Sequence, residues 1–315
     1  MEYNKWVADM EAGDDVEGFY ILKTAQIKTT NTGKSFLAGS IADRSGVIEV
    51  KMWDYAGPLG AQDEGGVFKI RGSVSEYRGA LQFIISRIRP AEEGDNYDLG
   101  ELVPTAPIDA GAAWQELLGM VESIQDPDYR AVSQEILQKD GELFQRLPGG
   151  KSVHHSFVNG LLMHTLYMAR TADFLAGLYQ EVVDRDLLLA GVILHDVAKC
   201  REFVTSPLGL VTEYSVSGEL LGHLVMGAQA VAEAARALEM PEEKSLLLQH
   251  MILSHHGEPD FGAAVRPMCA EAELLSLIDL VDSRMEIYKE NLEETDVGKF
   301  SKRIFALDKK IYRHR

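Results

Sequence analysis

Val192-Ile193-Leu194-His195-Asp196-Val197-Ala198-Lys199 is the stretch that decides how this 315-residue chain is interpreted. Apolar residues recur at helical spacing between positions 187 and 194, so the pattern predicts a helix that ends at the His-Asp pair. An aspartate next to such an apolar run costs free energy to bury unless a cation pairs with it. The stretch therefore predicts a metal site at the end of a buried helix.

Histidines are concentrated around this stretch, and eight of the nine lie between positions 154 and 256. Taken singly, each histidine is explained by ordinary packing or by a surface position. As a set on predicted helices, followed by Asp279, they offer the imidazole and carboxylate ligands that suit manganese, iron, cobalt or zinc. The set as a whole indicates metal-dependent chemistry.

The order of these residues, a histidine, a His-Asp pair, further histidines and a late aspartate, resembles the signature of the HD-domain metal-dependent phosphohydrolases. The resemblance implies that His164, His195, Asp196 and Asp279 are metal ligands. It adds His223, His255 and His256, because extra histidines occur in the HD subgroups that hold two metals. Two divalent ions are therefore expected, manganese first, with cobalt, iron or zinc as alternatives.

Residues 19–90 have a different pattern, in which short runs rich in β-branched and aromatic residues alternate with turn signals. The turns are Asn31-Thr32-Gly33, Asp43-Arg44-Ser45-Gly46 and Tyr77-Arg78-Gly79. Within 47–53 and 68–74, inward apolar and outward polar residues alternate with a period of two. Roughly five strands in about 70 residues predict a small barrel of the OB type.

This barrel is expected to bind single-stranded RNA or DNA. Residues 20–90 hold ten Lys/Arg against six Asp/Glu, although the formal net charge of the chain is −18. Aromatic rings stack on bases and basic side chains follow the phosphate backbone when such barrels hold a single strand. The candidate contacts are Lys51, Trp53, Lys69, Arg71, Tyr77 and Arg78, each of which packing or solvation would explain equally well on its own.

The sequence thus predicts a multidomain chain of α and β structure. Its expected parts are an acidic N-terminal segment 1–18, an OB-type barrel 19–90, a proline-containing linker 91–111, an all-α HD domain 112–294 and a basic tail 295–315. Two cysteines cannot form a disulfide framework in a chain of this length, which favours a reducing compartment. Since 1–18 lacks the apolar run of a signal peptide and no run is long enough to span a bilayer, we expect a cytoplasmic protein without a membrane partner.

Taken together, the two halves are similar to the YhaM-type 3′→5′ exoribonucleases, in which an OB-fold precedes an HD domain. The similarity extends over nearly all of 19–312. The matching motifs are Asn31-Thr32-Gly33-Lys34, Tyr77-Arg78-Gly79, His154-His155, Gly160-Leu161-Leu162-Met163-His164, Leu194-His195-Asp196-Val197-Ala198-Lys199, Ser254-His255-His256-Gly257 and Ile278-Asp279-Leu280-Val281-Asp282. The chain departs from the family at Met163, where a glutamate is usual, but no matched ligand is lost.

The implied reaction is hydrolysis of phosphodiester bonds, with Asp196 as the carboxylate shared by the two metals. Lys199 follows Asp196 by three residues and is expected to stabilise charge on the phosphate as the second catalytic residue. His154 and His155 are equally well explained as phosphate contacts or as packing residues. Asp282 lies one helical turn after Asp279, and a role in supporting a ligand or in capping is favoured over a role as a ligand itself.

Two other functions remain open from sequence alone. A phosphohydrolase that acts on nucleotides or cyclic nucleotides would use the same ligands, but it would leave the barrel without an evident role. A non-enzymatic single-strand-binding protein would need only the barrel, and the intact ligand set speaks against it.

Overall fold

The computed structural model describes residues 2–30, 32–150, 157–206 and 208–315. The chain forms two compact units, one made of Met1–Pro104 and Ser206–Leu208 and the other of Thr105–Thr205 and Gly209–Arg315. The first unit is a β-barrel and the second is helical, so the predicted fold class is confirmed.

The first unit is a closed barrel whose pairing order identifies it as an OB-fold. Its strands are β1 (Glu2–Tyr3), β2 (Asp15–Thr29), β3 (Ser35–Asp43), β4 (Gly46–Trp53), β5 (Val67–Tyr77) and β6 (Ala80–Pro90), followed by the short helix α1 (Leu99–Leu102). The strands pair in the order β1-β2-β3-β4-β6-β5, and pairing of β5 with β2 closes the barrel. The β4–β6 pair is parallel and the other pairs among β2–β6 are antiparallel, which is the five-stranded Greek-key arrangement of this fold.

Two glycines allow the barrel strands to curve and approach closely. A Cβ at Gly39 would lie 2.0 Å from the carbonyl oxygen of Thr24 on the paired strand. A Cβ at Gly72 would lie 2.2 Å from the carbonyl oxygen of Ile84, at the register shift in β5. Bulges and glycines of this kind bend strands at the corners of small barrels, so these positions favour closure over an open sheet.

The acidic segment 1–18 is part of the barrel. β1 pairs in parallel with the start of β2, and the side chains of Val7 and Met10 are buried in the barrel core. The alternation predicted for 47–53 is observed, because Ile48 and Val50 are buried while Trp53 is exposed. At the β5–β6 turn, Arg78 and Gly79 have φ of 54° and 82°, the left-handed pair that a tight two-residue hairpin requires.

The second unit is a helical bundle. Its elements are α2 (Ala110–Glu122), α3 (Pro127–Arg146), α4 (Gly160–Leu178), α5 (Arg185–Leu194), α6 (Lys199–Glu202), the hairpin β7 (Phe203–Thr205) and β8 (Val211–Tyr214), α7 (Val216–Ala237), α8 (Glu242–Ser254) and α9 (Ala270–Glu293). Every residue from Leu187 to Leu194 in α5 is buried, as expected for a helix that is apolar on all sides. Helix α5 is therefore the centre of the bundle, and the His-Asp pair follows at its C-terminal end.

Within the described residues, no helix combines the length and apolar character that crossing a membrane requires. The basic tail 295–315 folds back on the end of α9, where Ile304 and Ile311 pack against Ile287.

Candidate metal centre and nucleic-acid interface

The metal-ligand candidates of the second unit come from five segments that meet at the end of α5. His164 lies on α4, and His195 and Asp196 follow α5 directly. His223 lies on α7, and His255 follows α8. His164, His195 and His255 are at most 2% exposed and Asp196 is 3% exposed, so the centre is held by packed helices.

Two of these histidines are oriented by main-chain carbonyls. Nδ1 of His195 lies 2.7 Å from the carbonyl oxygen of Val192, and Nδ1 of His255 lies 2.8 Å from that of Ile252. A carbonyl oxygen can only accept, so each Nδ1 carries the proton and each Nε2 keeps a lone pair. Both Nε2 atoms are directed at Asp196, at 3.2 Å for His195 and 3.7 Å for His255.

The other two are oriented by carboxylates. Nδ1 of His164 lies 2.7 Å from Oδ2 of Asp282 on α9, a residue 118 positions later in the chain. Nδ1 of His223 lies 3.0 Å from Oε1 and 3.1 Å from Oε2 of Glu202. Partners of this type fix the ring orientation and raise the basicity of the nitrogen that faces a metal.

A kink in α7 allows the contact between His223 and Glu202. Gly222 has φ 71° and ψ 162° inside the helix, a conformation that strongly favours glycine. The kink brings the backbone N–H of His223 to 2.9 Å from Oε1 of Glu202, so the carboxylate accepts from both the main chain and the ring. Glu202 was not among the candidates from sequence, although it lies one helical turn after Lys199, just as Lys199 lies one turn after Asp196.

Several buried polar atoms of this centre have no hydrogen-bond partner within the described ranges: Oδ1 of Asp196, Nε2 of His223 and Nδ1 of His256. Buried polar groups in native proteins are nearly always satisfied, so an orphaned set at one point indicates a missing ligand. The centre contains two triplets of potential ligands, His164-His195-Asp196 and His223-His255-His256. Within each triplet, the ligand atoms all lie within 4.8 Å of one another.

Asp196 belongs to the first triplet and also faces the second. Its Oδ2 is 3.8 Å from Nε2 of His164, while its Oδ1 is 3.4 Å from Nε2 of His223. Asp279 on α9 also reaches the first triplet, with Oδ1 3.5 Å from Nε2 of His164. The geometry thus brings together the seven residues predicted as ligands and directs one oxygen of Asp196 toward each group.

The charges of the centre also favour a cation. Burial alone would raise the pKa of Asp196, but Lys199 and the facing histidines outweigh it and hold that pKa well below its usual range. Burial would lower the pKa of His195, yet Asp196 outweighs burial and raises it. Burial lowers the pKa of His255 well below its usual value and lowers that of His256. His255 and His256 therefore favour the neutral ring, the form that binds metal.

The contact between His164 and His195 is a further indication of a metal site. Their Nε2 atoms are 3.3 Å apart, and both rings carry their proton on Nδ1 if the Nδ1 partners act as acceptors. Two lone pairs at that distance repel each other unless a proton or a metal ion lies beside them. The donor set of five histidines and two aspartates fits borderline divalent metals.

Lys199 binds Asp196 directly. Its Nζ donates to Oδ2 of Asp196 at 2.6 Å and to the carbonyl oxygen of Gly149 at 2.7 Å. Burial would lower the pKa of Lys199, but the Asp196 carboxylate outweighs burial and raises it, so the ammonium stays charged. Within the described residues, two of its three N–H groups have acceptors, and the third is available for another ligand.

His154 and His155, the candidate phosphate contacts, lie outside the described residues. Met163, the position that departs from the family pattern, is fully buried in α4 beside His164.

Four of the six nucleic-acid candidates form one surface on the barrel, which we call the β4–β5 surface: Lys51, Trp53, Tyr77 and Arg78. Nζ of Lys51 lies 5.1 Å from the ring centre of Tyr77 and 5.7 Å from that of Trp53. The guanidinium of Arg78 lies 5.3 Å from the Tyr77 ring. Trp53 and Tyr77 are 48% and 52% exposed, so their faces are available for stacking.

Phe36 belongs to the same surface, although it was not a candidate from sequence. Its ring lies 5.0 Å from that of Trp53, its direct partner in the β3–β4 pair. The surface therefore combines the β3–β4 face and the β5–β6 turn, two of the places where OB-folds bind oligonucleotides.

Lys69 and Arg71 lie in another part of the barrel. Nζ of Lys69 is 3.3 Å from the carboxylate of Glu17, and it lies over the rings of Tyr3 and Phe19 at 5.6 Å from each centre. Arg71 lies directly opposite Glu17 in the β2–β5 pair. Since Glu17 partly neutralises Lys69, this pair offers less free positive charge than the β4–β5 surface.

Comparison with known proteins identifies both the domain and full-length relatives. The HD domain family model matches residues 161–284. The chain is 36% identical over 307 residues to the 3′-5′ exoribonuclease YhaM of Bacillus licheniformis. The aligned region covers 96% of this chain and 95% of that protein. It is 34% identical over 310 residues to the protein of the same name from Bacillus subtilis, with 96% and 95% covered.

Among solved structures, the OB domain of a Thermoplasma acidophilum protein covers 31% of this chain and 94% of its own, at 18% identity and a TM-score of 0.26. The second OB-fold domain of replication protein A from Methanococcus maripaludis covers 30% of this chain and all of its own, at 12% identity and a TM-score of 0.22. The strand order of the barrel itself establishes the fold of the first unit.

Proposed function

This chain belongs to the YhaM family of 3′-5′ exoribonucleases, and from that premise we propose that it is a metal-dependent 3′→5′ exonuclease that hydrolyses single-stranded RNA. The observation that carries the proposal is the pair of ligand triplets at the buried end of α5, with Asp196 of the first triplet also facing the second. The family relation extends over nearly the full length of both proteins, so both units take part in it.

We propose two divalent ions for this centre, with manganese as the preferred metal. His164, His195 and Asp279 would hold one ion, His223, His255 and His256 the other, and Asp196 would contribute an oxygen to each. Divalent ions in such a site polarise phosphoryl oxygens and lower the pKa of water, which makes phosphodiester hydrolysis possible near neutral pH.

The chain's own residues contribute orientation and charge. The four histidines with anchored Nδ1 atoms keep their Nε2 lone pairs directed inward, so little reorganisation is needed during the reaction. The ammonium of Lys199 remains charged and has one donor left, which would hydrogen-bond a non-bridging phosphate oxygen as negative charge develops there. Because Lys199 already binds Asp196, it also helps to hold the shared carboxylate in place.

The barrel would supply the affinity for long single strands. Bases stack on Trp53 and Tyr77, and Lys51 and Arg78 beside them neutralise phosphates. A strand held by the barrel raises the effective concentration of its 3′ end at the metal centre, provided that the connecting chain permits it. This arrangement favours polymeric substrates over mononucleotides and cyclic nucleotides.

The test is a time course with two preparations of one single-stranded RNA, labelled at the 5′ or at the 3′ end. The proposal predicts metal-dependent, stepwise shortening of the 5′-labelled RNA and immediate release of a labelled nucleotide from the 3′-labelled RNA. Chelator should stop both reactions, and elemental analysis after manganese reconstitution should give close to two ions per chain. Hydrolysis of cyclic nucleotides without shortening of RNA would replace the proposed substrate class.

A further inference from the structure

The tail 295–315 is an ordered basic hairpin, which we call the C-terminal hairpin. Gly298 N–H donates to the carbonyl oxygen of Arg313 at 2.7 Å, and Ile304 N–H donates to that of Lys309 at 2.9 Å. A 3₁₀ turn at Phe305–Leu307 joins the two arms. The hairpin is therefore a folded element.

The inner side of the hairpin is fixed to α9. Ile304 and Ile311 are 8% and 3% exposed and pack against Ile287. Arg313 donates to the carbonyl oxygens of Leu292 at 2.9 Å and Thr295 at 2.8 Å, which ties the end of the hairpin to the C-terminal end of α9.

The outer side of the hairpin carries exposed aromatic rings. Phe305 is 99% exposed, Phe300 is 66% exposed and Tyr312 is 49% exposed. The rings of Phe300 and Tyr312 lie 5.0 Å apart and form a small platform. Full exposure of a phenylalanine on an ordered turn is unfavourable in water, so these rings indicate a partner.

The charge of the hairpin identifies the kind of partner. Residues 295–315 hold seven Lys/Arg against two Asp/Glu, in a chain of net charge −18. Lys302 and Lys310 have no carboxylate within ion-pair distance in the part of the chain that the structure describes. Exposed rings beside free cations match a polyanion with stacking bases, because rings stack on bases while lysines neutralise phosphates.

We propose that the C-terminal hairpin is a second binding site for single-stranded RNA, separate from the barrel and attached to the helix that carries Asp279. The inference rests on the proposed function, which supplies RNA as the substrate. From Asp279 to Ile287, α9 advances about 12 Å at roughly 1.5 Å per residue. At about 3.4 Å per stacked nucleotide, that distance corresponds to about four nucleotides. The hairpin would thus hold the strand several nucleotides upstream of the bond being cleaved.

The test compares Phe305→Ala and the double variant Lys302→Ala/Lys310→Ala with the parent protein. Phe174→Ala is the matched control, since Phe174 is an exposed aromatic (65%) on α4 and is not part of the hairpin. Anisotropy measured with chelator and labelled RNA of about 20 nucleotides should show at least tenfold weaker binding for Phe305→Ala, as expected for the loss of one stacked base. The double variant should also show a weaker dependence of affinity on salt.

Cleavage of RNA of two or three nucleotides should remain within about twofold of the parent rate, because so short a strand does not reach the hairpin. Binding of long RNA unchanged in both variants would overturn the proposal. Equal loss on long and short RNA would also overturn it, since the hairpin would then act on the metal centre. A smaller native mass of the variants in light scattering would show instead that the hairpin joins two copies of this chain.

If the parent protein binds RNA but cleaves none, the proposed function fails while the binding measurement still decides the role of the hairpin.

Discussion

Glu202 offers the sharpest test of how the metal centre is built, because the structure assigns it a role that no ligand motif contains. It is 6% exposed and accepts from both Nδ1 and the backbone N–H of His223. Glu202→Ala removes the acceptor for both donors. Carboxylates that hydrogen-bond metal-bound histidines contribute about 10–100-fold to metal affinity, which corresponds to about 1.4–2.7 kcal/mol.

The expected result differs between the two metal positions. In Glu202→Ala, the ion next to His223 should bind up to about 100-fold more weakly, whereas the ion next to His164 should bind nearly as in the parent. Glu202→Gln keeps an oxygen for the same donors but loses the charge, so we expect about a tenfold effect. Glu219→Gln is the matched control, since Glu219 is an exposed glutamate on α7, the helix that carries His223.

Calorimetric titration of the metal-free protein with Mn²⁺ resolves the two positions, and thermal unfolding reports the structural effect. Leaving buried donors unsatisfied should destabilise the unit by about 1–3 kcal/mol, a fall in Tm of several degrees at roughly 2–4 °C per kcal/mol. The reasoning is refuted if Glu202→Ala binds both ions with parent affinity. It is also refuted if both ions weaken equally, because Glu202 would then support the fold alone.

Three further outcomes are expected. Lys199→Ala should retain both ions and lose about 10²–10³ in turnover, the effect of removing a charge-stabilising donor, and single-turnover rates at saturating Mn²⁺ check this. Trp53→Ala should weaken RNA binding by about 1–3 kcal/mol in an anisotropy titration, and Lys69→Ala, whose charge Glu17 shares, should change it by less. Asp126 caps α3 and binds Lys244. Burial alone would raise the pKa of Asp126, but the hydrogen bonds from Lys244 and from the start of α3 outweigh burial and lower that pKa. A lowered pKa contributes its full stability only above the unfolded value of about 3.9. Asp126→Ala should therefore be less stable than the parent by about 0.5–2 kcal/mol at neutral pH. Denaturant melts should show this difference vanish as the pH falls through the folded pKa of Asp126.

Local patterns in the sequence predicted much of the fold. Alternation along 47–53 identified the inward residues Ile48 and Val50, and glycine in the turn at 79 marked a hairpin. The apolar run before His195 predicted a buried helix, and α5 is buried along its length. These features depend on neighbouring residues only, so periodicity and turn chemistry are sufficient to find them.

Contacts between distant residues were beyond such patterns. Asp282 meets His164 across 118 positions, and the contact follows from the packing of α9 on α4. The link between Glu202 and His223 depends on the kink at Gly222, which helical periodicity does not reveal. For the tail 295–315, the sequence revealed only the positive charge and not the fold. Its two buried residues, Ile304 and Ile311, are too few to produce a periodic pattern.

The most direct test of the central claim is whether Asp196 is required for trimming RNA from its 3′ end. Asp196→Asn keeps the volume of the side chain but removes the charge shared by the two triplets, while the barrel is unchanged. With saturating Mn²⁺ and 5′-labelled single-stranded RNA, the folded variant should bind RNA like the parent and give no stepwise shortening. Shortening by Asp196→Asn at a near-parent rate would show that the chemistry of this protein takes place elsewhere.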